Sequence, residues 1–308
     1  MNTLALRQDL AVLTEVSAAL ADAGLDLPVL LDTITDLLAT HVADSALVYL
    51  LQDDGVTLEL ESLASHAPGL LELTHSVLRD RPRRADDPGL IGTCFASKKP
   101  VVVNDIDPAA FRAQLPESYD TLFADRPFPN AIVYVPLLAH GEALGVLVAS
   151  RTPPSASFDD NDVNLVCDVG ELAATTILNA LLHRRLAEMT ALFESVFAHA
   201  PIGMAIHSAD AGASTFIRVN TALAELLGRP ESDLVGESVA DSVEASDRAE
   251  VDAFLARVRA GEILGHSGAI HLRRGDGTTI AARIDWRVVP FGANTSLILS
   301  QVRQQDRT

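Results

Sequence analysis

The chain of 308 residues is 48% apolar and 21% charged, which suffices for about two domains and excludes a disordered or fibrous protein. Its formal net charge of −19 argues against nucleic acid or an anionic membrane surface as a general partner. No uninterrupted run of about 18 apolar residues and no basic N-terminal segment occur, so neither a membrane span nor a signal peptide is predicted. The two cysteines, Cys94 and Cys167, fit a reducing compartment, and we expect a cytoplasmic protein.

The first half of the chain switches between helical and strand spacing of its apolar residues. Leucines three and four residues apart predict a helix over 3–23 and a second helix after Pro28. The period then changes, and Asp53-Asp54-Gly55 is typical of a hairpin turn between two strands. The further elements predicted in this half are strands at 46–52 and 56–62, a helix near 69–79, a charged loop at 81–88, a helix at 90–97, a buried strand at 101–103, a loop with short helical turns over 107–129 and strands at 131–138 and 143–150.

A long helix is predicted to follow, from 160 to about 197. Asp159 is placed to cap it, and no proline interrupts residues 155–200. At ~1.5 Å per residue the helix is about 55 Å long, so we expect part of it to have a partner. The candidate dimer seam consists of five apolar residues near heptad spacing: Leu178, Leu182, Met189, Leu192 and Val196. Packing of the helix on its own domain is the alternative, because the heptads are few.

Short strands and turns return after residue 200. The elements predicted there are strands at 203–207 and 215–219, helices at 220–227 and 246–259, and strands at 267–274, 278–289 and 296–303. The fold class is therefore α+β, with two modules that each have an antiparallel sheet flanked by helices and that are joined by a long helix. We place the first module at 1–157, the linking and dimerisation helix at 158–198 and the second module at 199–308.

Three motifs in the first module are those of a known family. The first motif runs from Gly89-Leu-Ile-Gly92 through Pro100 to a valine strand that ends near Asp105. The others are the hairpin around Gly141 and the helix start at Phe158-Asp-Asp-Asn-Asp. In these features residues 1–185 resemble the GAF domain. The resemblance implies a pocket for a small molecule, with Tyr49, Cys94, Phe95 and Tyr134 as candidate lining residues.

The second module carries the motifs of another family. It begins with Phe197-Ala-His-Ala-Pro-Ile-Gly203 and continues through Asn220-Thr-Ala-Leu-Ala-Glu-Leu-Leu-Gly228. The segment Leu272-Arg-Arg-Gly-Asp-Gly and the last apolar strand complete a resemblance to the PAS domain. This resemblance implies a second sensory pocket, for which Asn220 and Trp286 are the candidates. It also implies a parallel dimer built on the linking helix.

A search for catalytic motifs yields no candidate catalytic residue. The sequence lacks a phosphate-binding loop with lysine, a His-Glu-x-x-His zinc motif, a Gly-x-Ser-x-Gly elbow and the protein-kinase motifs. It also lacks the Gly-Gly-Asp-Glu-Phe signature of diguanylate cyclases and a histidine-kinase phosphoacceptor box. We therefore predict a protein that is not an enzyme.

The sequence also argues against most cofactors. No cysteine lies within 199–308, which excludes a covalent flavin adduct in the second module, and both cysteines of the chain are expected to be packing residues. The nine histidines form no cluster at metal-ligand spacing and are predicted to lie in solvent or turns, so neither a metal nor haem is expected. The basic cluster is predicted to be a solvated loop paired with neighbouring aspartates, and it consists of Arg79, Arg81, Arg83 and Arg84.

The functional hypothesis is a non-catalytic, cytoplasmic signal-sensing homodimer. It binds a small molecule or an output protein through its two modules and relays the change through the long helix. One alternative is the sensory half of a longer diguanylate cyclase, histidine kinase or phosphatase. Another is a dimeric protein-interaction scaffold that binds no ligand. The sequence leaves the ligand and the output partner open.

Overall fold

The computed structural model describes residues 3–66, 82–109, 128–208, 214–291 and 295–305, with side chains from residue 10 onward. The helix predicted near 69–79, most of the loop predicted over 107–129 and most of the connection between the strands predicted at 203–207 and 215–219 lie outside these ranges. The chain divides into two compact units, of which the first ends at Leu186 and the second begins at Ala187. The division therefore falls inside the long helix that the sequence analysis set apart as 158–198.

The first unit is built on a six-stranded antiparallel sheet. Its elements are α1 (Thr3–Ala23), α2 (Leu27–His41), β1 (Ser45–Leu51), β2 (Thr57–Ser65), β3 (Arg83–Arg84), α3 (Leu90–Ser97), β4 (Val101–Val103), β5 (Ala131–Ala139), β6 (Glu142–Arg151) and the long helix α4 (Asp160–Ala198). The strands lie in the order β3-β2-β1-β6-β5-β4. All five neighbouring pairs are antiparallel, and the pairs β1–β2 and β5–β6 are the two hairpins that the turn signals predict.

This sheet separates two cores, because successive side chains of a strand point to opposite faces. On β1, Ala46, Val48 and Leu50 belong to the core that α1, α2 and the first half of α4 cover. Tyr49, between them, belongs to a second core on the other face, together with Cys94 of α3. The second core is where the candidate pocket of this unit lies.

The start of α4 is fixed to the first unit by charge and capping. The Asp159 carboxylate accepts hydrogen bonds from the backbone N–H groups of Asn161 and Asp162 at 2.9 Å each, which confirms the predicted cap. Arg151 at the end of β6 forms an ion pair with Asp162 at 2.7 Å. Further along, Ile177 is fully buried in the first core. The first half of α4 is therefore a core helix of its own domain.

The main corrections in this unit concern its sheet edges. The strand 101–103 was predicted to be buried, but β4 is the last strand of the sheet, and 41% of Val102 is exposed. The charged loop predicted at 81–88 contains the short edge strand β3, which pairs with β2. A run of three valines predicts a buried strand, whereas the position of a strand at the edge of a sheet depends on the order in which the strands pair.

The second unit is a five-stranded antiparallel sheet with helices packed on one face. Its elements are β7 (Gly203–Ser208), β8 (Phe216–Val219), α5 (Thr221–Leu227), α6 (Glu231–Leu234), a 3-10 helix (Val239–Ser242), α7 (Arg248–Arg259), β9 (Gly265–Arg273), β10 (Thr279–Phe291) and β11 (Thr295–Gln304). The strand order is β8-β7-β11-β10-β9, so the first and last strands of the unit meet in the middle of the sheet. All five strands match predicted ones, whereas α6 and the 3-10 helix have no counterpart among the predicted elements.

The long helix α4 contains a stretch of high mean hydropathy. A window of 18 residues in this helix has a mean hydropathy of 1.5, which by length and composition alone suffices for a membrane span, and 44% of the window is buried in the protein. Core helices of soluble proteins meet the same criterion, so this is weak evidence for a span. No membrane span is predicted from the sequence because no uninterrupted apolar run is long enough, whereas the mean hydropathy averages over polar residues within the window.

Candidate functional site

The first candidate site lies on the face of the six-stranded sheet that α3 covers. Tyr49 of β1, Tyr134 of β5 and Cys94 of α3 are buried in one apolar cluster. Phe95 is half-buried and packs against that cluster. The structure thus brings all four residues that were predicted to line the pocket to one face of the sheet.

Two phenols and a guanidinium supply the polar chemistry of this cluster. Burial raises the pKa of Tyr49, and a hydrogen bond with Arg83 opposes that rise. Burial raises the pKa of Tyr134 as well, so both tyrosines stay neutral at physiological pH. Neutral phenols beside a cationic donor in an apolar setting could orient a polar group of a ligand.

The contact between Arg83 and Tyr49 corrects the prediction that the arginine cluster is a solvated loop. Arg84 does behave as predicted, since it is exposed and pairs with Asp86 at 2.8 Å. Arg83 is half-buried on β3 and reaches the Tyr49 hydroxyl instead. The other two arginines of the cluster, Arg79 and Arg81, lie outside the described residues.

Cys94 is chemically inert in this setting. Its side chain is fully buried, and burial raises the pKa of its thiol to about 12. Cys167 on α4 is half-buried, and burial raises the pKa of its thiol to a lesser extent. Only the thiolate is a good nucleophile, so the environment of Cys94 disfavours covalent attachment of a chromophore.

We therefore expect Cys94 to resist a soluble thiol reagent at pH 8, where about one thiol in ten thousand would be ionised. Cys167 should react first. Peptide mass spectrometry after timed alkylation with iodoacetamide measures both rates in one sample, and the Cys167→Ala variant isolates Cys94. Equal labelling of the two residues in the native protein would contradict the burial of Cys94.

The second candidate site is a small cavity between the five-stranded sheet and the helices of the second unit. Its volume is about 20 Å³, which is room for roughly one water molecule. Trp286 of β10, one of the two predicted residues, lines it and is 2% exposed. Apart from Ser242 and Ser300, the described residues that line the cavity are apolar.

Asn220, the other predicted residue, is buried but is not among the described residues that line the cavity. Its side-chain oxygen accepts hydrogen bonds from the backbone N–H groups of Met204 at 2.7 Å and Leu223 at 3.0 Å. Its amide nitrogen donates to the backbone oxygen of Ile202 at 2.9 Å. Asn220 therefore caps α5 and ties it to β7, which occupies its hydrogen-bonding groups.

His207 contradicts the prediction that the histidines lie in solvent or turns. It is 1% exposed on β7, and its two ring nitrogens lie 2.7 Å from the hydroxyls of Ser214 and Ser300. Burial lowers the pKa of its imidazole to about 4. The ring is therefore neutral at physiological pH and links two serines that are far apart in the sequence.

Trp286 also belongs to an aromatic stack beside the cavity. Its ring lies 4.6 Å from that of Phe254 on α7 and 5.8 Å from that of His266 on β9, measured between centroids. The planes are within 17° of parallel in the first pair and 15° in the second. Because the chain has one tryptophan, the fluorescence of Trp286 reports on this cavity.

The candidate dimer helix presents an apolar stripe to solvent over its second half. Of the five predicted seam residues, Leu178 is half-buried against the first core, whereas the other four are exposed. The exposed residues also include Leu186 and Phe193, which the sequence analysis missed. With these two, the seam becomes a regular alternation of four and three residues: Leu182, Leu186, Met189, Phe193 and Val196.

Within the described ranges, no group of three or more His, Cys, Asp or Glu residues could hold a metal ion. His271 and Asp247 form an isolated pair at 2.9 Å.

Comparison with known proteins places these sites in two families. The sequence model of the GAF domain matches residues 26–177, and that of a PAS domain matches residues 191–260. The first match includes the cluster around Tyr49 and Tyr134, and the second includes His207 and Ser242. A search of curated proteins finds no match.

Solved structures show remote similarity to each part. The GAF domain of a phosphoenolpyruvate-protein phosphotransferase from Coxiella burnetii is 17% identical, with 58% of this chain and 98% of that one covered and a TM-score of 0.46. The corresponding Acinetobacter domain is also 17% identical, with coverage of 59% and 97% and a TM-score of 0.43. A PAS domain of an HTR-like protein from Haloarcula marismortui is 22% identical, with coverage of 40% and 97% and a TM-score of 0.35.

The two family models match in the order GAF and then PAS along the chain. GAF and PAS domains are sensory, non-catalytic modules that are typical of signalling proteins. The chain therefore carries a GAF domain followed by a PAS domain.

Proposed function

We propose that this chain is a non-catalytic, cytoplasmic signal-sensing protein that acts as a homodimer. A small ligand or a partner protein binds in the GAF or PAS domain. The second half of α4 pairs with the same segment of a second copy and relays the change between the domains. The two free cysteines agree with a reducing compartment.

The observation that carries this proposal is the exposed seam. Its five residues are between 48% and 67% exposed, although each has a large apolar side chain. They lie on the segment that joins the GAF match, which ends at 177, to the PAS match, which begins at 191. A 4-3 repeat on one helix suits a two-stranded coiled coil, in which a second copy supplies the missing apolar face.

A relay through such a coiled coil requires a ligand that binds one arrangement of the helices more tightly than the other. The first half of α4 forms part of the GAF core, and Ala173, Ala174 and Ile177 are fully buried there. At the other end, Phe197 is buried and leads into β7 of the PAS domain. A change in the packing of either domain would therefore alter the position of the seam residues on α4.

The proposal is tested by native mass spectrometry of three proteins. The wild-type chain should have twice the monomer mass of 32.7 kDa. Met189→Glu places two carboxylates face to face in the seam and should weaken the dimer by about 100-fold or more. Ala191→Glu, an exposed change on the side of the helix away from the seam, should leave the dimer intact. A monomeric wild-type protein, or a Met189→Glu dimer of unchanged affinity, would contradict the proposal.

A dimeric scaffold without a ligand is the second candidate. The size of the PAS cavity, about 20 Å³, favours it, because this volume has room for roughly one water-sized group and admits a larger ligand only if wall side chains move. The same spectra separate the two candidates. Extra mass retained on the dimer would support sensing, and its value would identify the class of ligand.

A further inference from the structure

The PAS cavity contains a buried hydroxyl group without a partner. Ser242 ends the 3-10 helix, is 3% exposed and lines the cavity. Its Oγ atom has no hydrogen-bond partner among the described residues. A buried polar atom that lacks a partner is costly, so the site favours an occupant that can hydrogen-bond to Ser242.

The hydrogen bonds around His207 determine what the second serine of the cavity can offer. The Ser214 hydroxyl donates to the backbone oxygen of Ser208 at 2.5 Å, so it can only accept from the Nδ1–H of His207. A neutral imidazole with its proton on Nδ1 has a bare Nε2. The Ser300 hydroxyl, 2.7 Å away, must therefore donate to Nε2.

Ser300 consequently faces the cavity as a hydrogen-bond acceptor. Its single hydrogen is committed to His207, and its remaining lone pair can accept from an occupant. The strand register supports this orientation. Ser300 lies opposite Ala205 on one side and Trp286 on the other, and all three residues line the cavity. Residues directly opposite in antiparallel strands share a face of the sheet.

These two serines define the chemistry of the occupant. The Ser300 hydroxyl, already bonded to His207, can accept one further hydrogen bond, whereas the unpartnered Ser242 hydroxyl can donate to an acceptor. A hydroxyl group offers both at one atom. A carbonyl or nitrile can only accept, so it can bond to Ser242 but makes no hydrogen bond with Ser300. An ion is disfavoured as well, because none of the described lining residues is charged and an unpaired charge in an apolar cavity is costly.

We propose, resting on the sensing function above, that the PAS cavity binds a small neutral compound through one hydroxyl group, which donates to Ser300 and accepts from Ser242. The volume of about 20 Å³ accommodates the hydroxyl itself. Any carbon chain then has to displace the apolar wall side chains. Short alcohols should bind best, because each further carbon has to displace a wall side chain.

The test uses ethanol and acetonitrile, which have three heavy atoms each, together with acetate as the anion. Trp286 fluorescence follows binding in the full-length protein. Ethanol should give a saturable change with a Kd in the millimolar range, as expected for so small a ligand. Acetonitrile should bind at least about 5-fold more weakly, and acetate should not bind. Equal Kd values for ethanol and acetonitrile would overturn the proposal.

Ser242→Ala provides the matched variant, and Ser232→Ala, an exposed serine outside the cavity, provides the control. We expect Ser242→Ala to raise the Kd for ethanol at least about 5-fold and Ser232→Ala to leave that Kd unchanged. Ethanol binding that does not depend on Ser242 would overturn the proposal. A crystal structure that shows one ordered water between the serines, with no effect of ethanol up to 0.1 M, would overturn it too.

The outcomes also separate this inference from the sensing function on which it rests. If the dimer retains some other compound in native spectra while ethanol fails to bind, the hydroxyl site is wrong and sensing stands. If the chain is a bare monomer and Trp286 responds to none of the three compounds, both proposals fail.

Discussion

Replacing Gly92 with alanine is expected to destabilise the GAF domain by about 3 kcal/mol or more. Gly92 lies in α3, and a Cβ atom there would sit 2.1 Å from the backbone oxygen of Asp87 and 3.1 Å from that of Arg84. Both atoms belong to backbone and cannot swing away as a side chain could. Either α3 shifts, which moves Cys94 out of the second core, or the loop before it does.

Gly89, the other glycine of the same motif, is the matched control. A Cβ atom at Gly89 has its nearest neighbour, the side-chain oxygen of Asp87, at 3.4 Å, which is an ordinary contact. We expect Gly89→Ala to cost at most about 1 kcal/mol, because Gly89 is the N-cap of α3 with a φ of −63°, where alanine loses a cap preference of typically about 1 kcal/mol but meets no strain. Urea unfolding followed by circular dichroism measures both variants. Similar midpoints for the two would contradict the close approach at Gly92.

Acidification is expected to remove about 3 kcal/mol of PAS-domain stability through His207. Its imidazole has a folded-state pKa of about 4, against roughly 6.5 in an unfolded chain. Between about pH 6.5 and 4, His207 is protonated in the unfolded state but remains neutral in the folded state. The contribution is therefore complete above pH 6.5 and is lost as the pH falls toward 4. The groups that face the ring are the hydroxyls of Ser214 and Ser300 and the edge-on ring of Phe216.

Denaturant unfolding monitored by Trp286 fluorescence between pH 7.5 and 4.5 measures this slope. His207→Asn should be less stable overall and should lose the uptake of about one proton on unfolding in this range. His183→Gln, a change at an exposed histidine of α4, should keep the wild-type slope. An unchanged slope in His207→Asn would show that His207 is not the buried neutral histidine described here.

The local elements were predictable because their signals are local. Hairpin turns and apolar residues at strand spacing predict ten of the eleven described strands. The cap formed by Asp159 confirms the predicted start of the long helix. The exception, β3, is two residues long and is stabilised by pairing with β2 rather than by its own pattern. The edge position of β4 likewise depends on the order of strands, which no single strand encodes.

The site residues divide along the same line. Tyr49, Cys94 and Tyr134 carried a family signal and fall in one cluster. No motif in the sequence pointed to His207, Ser242 or Ser300. The hydrogen bond between His207 and Ser300, for example, joins residues 93 positions apart, which no local pattern encodes. Leu186 and Phe193 complete a 4-3 repeat with Leu182, Met189 and Val196 that the sequence already contains, whereas the predicted seam has Leu192 in place of Phe193.

Disulfide cross-linking of the seam tests the central claim most directly. In a chain with Cys94→Ala and Cys167→Ala, a cysteine introduced by Met189→Cys or Val196→Cys should link two copies rapidly under mild oxidation. Both positions face the partner in a parallel, in-register coiled coil. Ala191→Cys faces away and should not link. Rapid linking at 191, or none at 189 and 196, would show that this helix does not pair with its own copy and would remove the proposed relay.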